Sequence, residues 1–484
     1  MGSITSNTNR RGPRHVVIVG AGIGGLTAAC ELARFGIKVV LVERRHLGGC
    51  ATTFNLDGVA YDAGATLCFG LDHPGLLGGV LADLEVELPH HTPPSAWEVH
   101  GEGFAVSRWV DRARWLAEAA AVFGPRIEGF WEECEMASDI VLEAALRRPP
   151  LPPTRVEDWA RIMTSTSPRK AARLAPMIAR PLVDLLRRHG LDGGAFHRFC
   201  DLQLLITAQA PASEAMSLYA ALALVLPHRG TAVLKGGMGS LAEALGRRFK
   251  ELGGELVTDE AVTVERRLVT LASGRRLATD AVVLNVTPWD ARRLLGQLPA
   301  RHERRLAAQR QVWGALCLYI TLPADDLPEM GRFIQIESPV GSVLGDRQSV
   351  FVSIAAEERQ TPQGLRPATV SVHSRRDQWP GRGSAYNDLK AASQAAVLEM
   401  LAPHLPSATN VITATPETWV EFAGRAGGRV GGFPALAGTP PPLPFPPRIG
   451  PGIWMVGDSV VPGQSTMAVA LAGRTIAAAV RAGR

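Results

Sequence analysis

Tyrosine is scarce in this 484-residue chain, with four in all, and aromatic residues make up only 6%. No block of like charges accompanies them. A nucleic-acid partner, which needs basic patches interleaved with stacking rings, is therefore not expected despite the net charge of +5. Cysteine is sparse too. Cys30, Cys50, Cys68, Cys134, Cys200 and Cys317 form no CxxC pair and no metal-type spacing. That excludes a disulfide scaffold and a zinc site, and points to a reducing, cytoplasmic compartment. No run reaches the roughly 18 uninterrupted apolar residues of a membrane-spanning helix. The polar start, residues 1–13, has no apolar segment of the kind a signal peptide needs, and is expected to be a disordered tail.

What is there is length and grease. At 484 residues with 46% hydrophobic content, the chain exceeds one ordinary core, so two or three domains are expected. The most informative stretch is Val16–Glu43. Val16–Val19 reads as a fully buried strand. Gly20-x-Gly22-x-x-Gly25 follows, then a helical pattern through Leu26, Ala29, Leu32 and Ala33 that Gly36 stops. A second strand, Lys38–Val42, ends in Glu43. Gly20 permits the tight turn, Gly22 lets backbone approach a pyrophosphate, and Gly25 allows close helix–strand packing. The helix N-terminus offers free N–H groups to phosphate, and Glu43 is spaced to accept from a ribose hydroxyl. The order of these pieces specifies an adenine dinucleotide.

Further along, Gly48-Gly49 lets the chain fold back beside the cofactor, and Asp62-x-Gly64-x-Thr66 ends a short strand. Trp109, Trp115, Phe123, Phe130 and Trp131 read as core. Residues 155–192 read as helices carrying Arg161, Arg169, Lys170, Arg173, Arg180, Arg187 and Arg188 with apolar residues between. They form either a basic face for lipid headgroups or a solvated face. Leu218–Leu226 is core or the lip of a substrate entrance. A second glycine loop, Gly236-Gly237-Met238-Gly239, opens a helix over Leu241–Leu252, and Ala281–Val286 is another buried strand. The sheet begun at Val16 resumes there. Strands at 315–321, 333–337, 350–355 and 369–373 suggest one half-buried antiparallel sheet, with a helix over Tyr386–Leu401. After the Pro-rich Pro440–Pro447, the strand Gly452–Val456 ends in Gly457-Asp458, and a last helix starts near Thr466.

The expected fold class is α/β. A discontinuous Rossmann-like domain (14–89, 230–298, 448–484) holds an inserted α+β substrate domain (90–229, 299–447) with a helical, membrane-associating region. One domain built from both chain ends suits FAD better than NAD. Asp458 would sit by the ribityl chain or pyrophosphate. The last helix would aim its N-terminus at the isoalloxazine, favouring negative charge as the flavin takes a hydride.

These motifs together resemble the phytoene desaturase-type carotenoid flavoproteins, which include carotenoid desaturases and prolycopene isomerases. Phe199–Gly230 and the Phe130-Trp131 segment are most similar to bacterial carotenoid 3′,4′-desaturases. The resemblance implies FAD, a hydrophobic carotenoid substrate, access from a peripheral membrane surface, and oxygen or a quinone as electron acceptor. The expected cofactor-binding set is Gly20, Gly22, Ile23, Gly24, Gly25, Glu43, Arg44, Gly49, Cys50, Gly64, Thr66, Val262, Gly457, Asp458, Thr466, Met467 and Ala468. No metal site is expected. No residue is singled out as proton acceptor; His373, Asp201 and Glu421 qualify by type alone. Many family members carry Arg after the glycine pair, where this chain has Cys50, which blurs desaturase against isomerase. Cys50 reads as a small packed residue, with a flavin thioether or redox thiol as the alternative. Ser465-Thr466 offers a hydroxyl cap where relatives often continue with glycine. The leading reading is a 3′,4′-type carotenoid desaturase. The alternatives are a cis–trans isomerase using reduced FAD, a flavin amine oxidase, for which four tyrosines are few, and a non-catalytic carrier of prenyl lipids.

Overall fold

A computed structural model describes residues 12–150, 153, 155–309, 313–327, 332–438 and 445–483. Of the expected disordered tail, residues 1–11 lie outside the described residues, as do residues 440–444 of the Pro-rich stretch.

One six-stranded sheet gathers three distant parts of the chain. Its order is Glu255–Thr258, Lys38–Glu43, His15–Val19, Ala281–Leu284, Ile453–Met455, Arg448–Gly450. The first five strands run parallel, and the last is antiparallel. Val17 lies level with Val40 on one side and Val282 on the other. These runs of β-branched residues are buried on both faces, as parallel strands are when helices flank the sheet. One face packs against the helices Ile23–Ala33, Gly239–Glu251 and Thr466–Arg481. The other carries an antiparallel three-stranded sheet within 261–278 and the helix Pro288–Leu295.

The second large sheet departs from expectation. It has seven strands in the order Thr409–Ala414, Trp313–Pro323, Leu365–Arg375, Ser349–Ile354, Phe333–Glu337, Ser95–Gly101, Phe104–Trp109. It is mixed rather than antiparallel, because Phe333–Glu337 pairs in parallel with Ser95–Gly101. It is also buried rather than half-buried; every residue of Ser349–Ile354 is buried. The reason is that both faces are covered. The aliphatic face packs on the helix Ser384–Leu401. The opposite face, carrying Ser349, Phe351, Ser371 and His373, meets the cofactor cavity. The strand Thr409–Ala414 and the helix Pro416–Ala423 had no clear sequence signal.

A helical layer over residues 112–225 covers the far side. Trp115, Phe130 and Trp131 are at most 1% exposed and Trp109 is 7% exposed, as expected for core aromatics, whereas Phe123 packs against that core only partly buried. No helix among the described residues is long and apolar enough to cross a membrane.

Candidate cofactor and substrate site

A cavity of about 960 Å³ runs from the C-terminal end of the parallel sheet into the helical layer. This is where open α/β sheets place ligands. Gly20 turns at a φ of +97°, a conformation that favours glycine. Gly22 caps the Ile23–Ala33 helix, whose first N–H groups face the cavity without a side-chain cap. Glu43 is pinned in place: its Oε2 accepts from Ala21 N at 2.8 Å and its Oε1 from Arg45 N at 2.9 Å. Both oxygens keep lone pairs for a ribose hydroxyl.

A residue that sequence reasoning missed sits at the centre of this cradle. Asn285 follows the strand Ala281–Leu284 and donates through Nδ2 to Gly20 O at 3.2 Å. A Cβ on Gly20, Gly22, Gly24, Gly25 or Gly457 would each come within 3.4 Å of an Asn285 atom. Five glycines therefore make room around one residue. Its position at the end of the strand beside His15–Val19 was the available signal.

From the other end of the chain, Asp458 follows Gly457, itself at a φ of +125°. Asp458 Oδ2 pairs with Arg425 Nη2 at 2.8 Å. Burial opposes the charge on Arg425, but the Asp458 carboxylate holds it protonated, above the ordinary arginine range. Ser465 caps the last helix, its Oγ accepting from Ala468 N at 3.1 Å. Thr466 Oγ1 is buried without a hydrogen-bond partner. Thr66 Oγ1 accepts from Ser353 Oγ at 2.7 Å.

Most of the expected set converges on this cavity: Gly20, Gly22, Ile23, Gly24, Glu43, Arg44, Gly49, Cys50, Gly64, Thr66, Gly457, Asp458, Thr466, Met467 and Ala468 line it. Two do not. Gly25 lies beneath it, where an added Cβ would stand 2.2 Å from Gly20 O, so it serves packing alone. Val262 falls at a strand irregularity between Ala261 and Thr263 and is 38% exposed, while Glu260 and Ala261 line the cavity. Of the titratable candidates, only His373 reaches the wall. Burial pushes its imidazole down to about 4, so it is neutral. Asp201 instead accepts from Ala212 N at 2.7 Å, and Glu421 pairs with Arg382 at 3.1 Å. Cys50 is half-buried on the wall and burial raises its thiol, so the reactive thiolate is disfavoured. The described residues contain no cluster able to hold a metal ion.

The glycine cradle, the pinned Glu43, the orphaned Thr466 hydroxyl and two helix N-termini fit a long dinucleotide held from both ends. Beyond it the cavity continues as an apolar arm. Ile140, Ile162, Leu174 and Ile178 line it from three helices. Leu218 and Leu222 line it from the helix Ser217–Val225, whose other residues Ala220, Ala221 and Leu224 are core. That segment is thus both core and cavity wall.

The family described as flavin containing amine oxidoreductase matches residues 23–480. The chain is 25% identical to the chloroplastic prolycopene isomerase of Daucus carota over 94% of its own length and 78% of that protein's. It is 28% identical to the lycopene-forming phytoene desaturase of Pantoea ananas, over 63% of each chain. Among solved structures, an oxidoreductase from Methanosarcina mazei superimposes with a TM-score of 0.63 at 14% identity, covering 96% of this chain and 99% of that one.

Proposed function

Because the chain belongs to the flavin-containing amine oxidoreductase family, and within it is an FAD-dependent oxidoreductase of the carotenoid desaturase and isomerase group, we propose that it dehydrogenates an acyclic or monocyclic carotenoid at a 3′,4′-type bond. The apolar arm carries this reading. A polyene needs a long channel with few hydrogen-bonding groups, and the arm leaves the cofactor cradle between helices without a carboxylate lining it.

The bound flavin supplies the hydride acceptor, and oxygen or a quinone would reoxidise it. The protein's own task is placement. Glu43 and the first glycine loop would hold the adenosine end. Asp458, fixed by Arg425, would hold the ribityl and pyrophosphate stretch. The Thr466–Arg481 helix would offer its N-terminal N–H groups to the negative charge that a reduced flavin carries. Leu218, Leu222 and Ile206 exclude water and align the substrate's CH2–CH2 unit.

The arm reaches the surface beside the helices Val156–Thr164 and Pro168–Ala179. Leu146, Val156 and Ile178 are 51%, 82% and 40% exposed there, among exposed arginines. We propose that this face rests on a membrane from which the substrate enters. The division into cofactor segments (14–89, 230–298, 448–484) and substrate segments (90–229, 299–447) is part of the same proposal.

A second reading, cis–trans isomerisation by reduced flavin, is favoured by Cys50 in place of arginine and by the prolycopene isomerase likeness along 94% of the chain. Mass spectrometry of pigments from a carotenoid-producing host expressing the chain separates the two. Products lighter by two hydrogens support the desaturase. Unchanged mass with a shifted spectrum supports the isomerase and overturns the first reading.

A further inference from the structure

The seven-stranded sheet has a second void on the face turned away from the cofactor cavity. A cavity of about 240 Å³ lies between the strands Trp313–Pro323 and Leu365–Arg375 and the helix Ser384–Leu401. Side chains alternate along Leu365–Arg375. Ser371 and His373 therefore face the cofactor cavity while Ser374 faces this one, with Val372 bordering both. Close-packed cores keep few voids larger than a water molecule, and a dry apolar cavity of roughly 150 Å³ already holds a benzene ring.

The wall is preformed. Leu316 stands level with Val372 across the two strands. Leu389 lines the cavity from the helix and Leu344 from the loop before Ser349–Ile354. The Trp379 ring is held on two sides: its Nε1 donates to Ser374 Oγ at 2.6 Å, and it meets Tyr386 edge-on with centroids 5.8 Å apart. Val343, 43% exposed, and the exposed Gln378 stand at the mouth.

Two hydroxyls interrupt this apolar wall. Ser374 Oγ accepts from Trp379, which can only donate, and its own proton has no acceptor among the described residues. Ser393 is 3% exposed and lies in mid-helix, where a serine not turned to solvent bonds back to the carbonyl four residues earlier. Here it does not. Its hydroxyl makes no hydrogen bond among the described residues, although it borders the cavity. Buried hydroxyls are nearly always paired, so two free donors on one cavity call for an acceptor brought from outside.

We propose that this cavity is a binding site, separate from the cofactor and substrate cavity, for a small flat aromatic carbonyl compound. The ring lies against Trp379 among Leu316, Val372 and Leu389. The carbonyl oxygen has two lone pairs and no proton to place, so it accepts from Ser374 and Ser393 together. The volume limits the ligand to one ring with a short substituent.

Acetophenone and the hydrocarbon of the same shape, α-methylstyrene, serve as probes of the FAD-loaded protein, with affinities read by saturation-transfer NMR titration. Ser393→Ala removes only the hydroxyl oxygen. It should weaken acetophenone about fivefold, the worth of one hydrogen bond, and leave α-methylstyrene unchanged. Ser393→Leu fills the cavity and should weaken both probes about tenfold or more, with the flavin spectrum unaltered. If that variant does not melt cooperatively, Leu389→Trp, from the half-buried wall, blocks the cavity in its place. An unchanged acetophenone affinity in Ser393→Ala overturns the carbonyl site. Unchanged affinity for both probes in the filled variant places them in the cofactor and substrate cavity, and overturns the site altogether. So does the failure of both probes to bind the natural protein.

Discussion

Arg425 Nη2 stands 2.8 Å from Asp458 Oδ2, joining the turn after the Pro416–Ala423 helix to the Gly-Asp end of the Ile453–Met455 strand. The same guanidinium donates through Nη2 to Gly431 O at 2.9 Å and through Nε to Arg429 O. It also lies close enough to Cys50 to lower that thiol against its burial. An arginine is thus present beside Cys50, the position after the glycine pair where the family resemblance implied one. It arrives from a different part of the chain.

Arg425→Met should weaken flavin binding about tenfold or more, since Asp458 would be left half-buried and unpaired at a cost on the order of 2 kcal/mol. Arg425→Lys should fall between, because a lysine keeps the charge but loses the fork of donors. Fluorescence titration of apo-protein with FAD measures both. Unchanged affinity in Arg425→Met would remove Asp458 positioning from the cofactor site.

Gly22→Val should abolish flavin retention. A Cβ at Gly22 would stand 2.7 Å from Asn285 Nδ2, and the remaining methyl groups would fill the space a pyrophosphate needs. Asn285 would be pushed off Gly20 O as well. The purified variant should be colourless yet melt cooperatively. A yellow variant with normal FAD content would refute the placement of the cofactor.

Acid should destabilise the fold through its buried histidines. Burial lowers His373 from 6.5 to about 4 and lowers His228 and His302 too. The unfolded chain therefore binds protons first as the pH drops through 6.5. Above that pH neither state is protonated and nothing is gained or lost. Below it stability declines until the folded pKa is reached. For His373 the loss is at most about 3 kcal/mol. Thermal melts from near pH 7 to near pH 5 should show a falling midpoint, and His373→Phe should flatten the fall. An identical slope in that variant would mean that His373 is not held neutral.

The helices Val156–Thr164 and Pro168–Ala179 should carry membrane binding. Val156→Asp combined with Ile178→Asp removes two exposed apolar contacts and leaves the arginines in place. Co-sedimentation with anionic vesicles should fall severalfold, while the flavin spectrum stays normal. Equal sedimentation of the variant would assign any membrane contact to another face.

The sequence alone determined what depends on neighbouring residues. The strand, the glycine loop, the helix stopped by Gly36 and the acid at Glu43 are local, because turn geometry and phosphate approach are set within one βαβ unit. The family resemblance came from the same kind of short, spaced motif. Which strands would share a sheet was less legible. Ser95–Gly101 and Phe104–Trp109 join strands from beyond residue 312, and their alternation carries no sign of a partner that far away. Only the tertiary structure decided which residues meet. Asn285 stands among five glycines, Trp419 closes on Gly64, Arg425 reaches Asp458, and Arg108 reaches Ser349 through two amides. Each of these contacts joins side chains from segments far apart in sequence. Neither hydrophobic periodicity nor motif spacing encodes such a meeting. It follows from how the two sheets and the helical layer pack around one cavity.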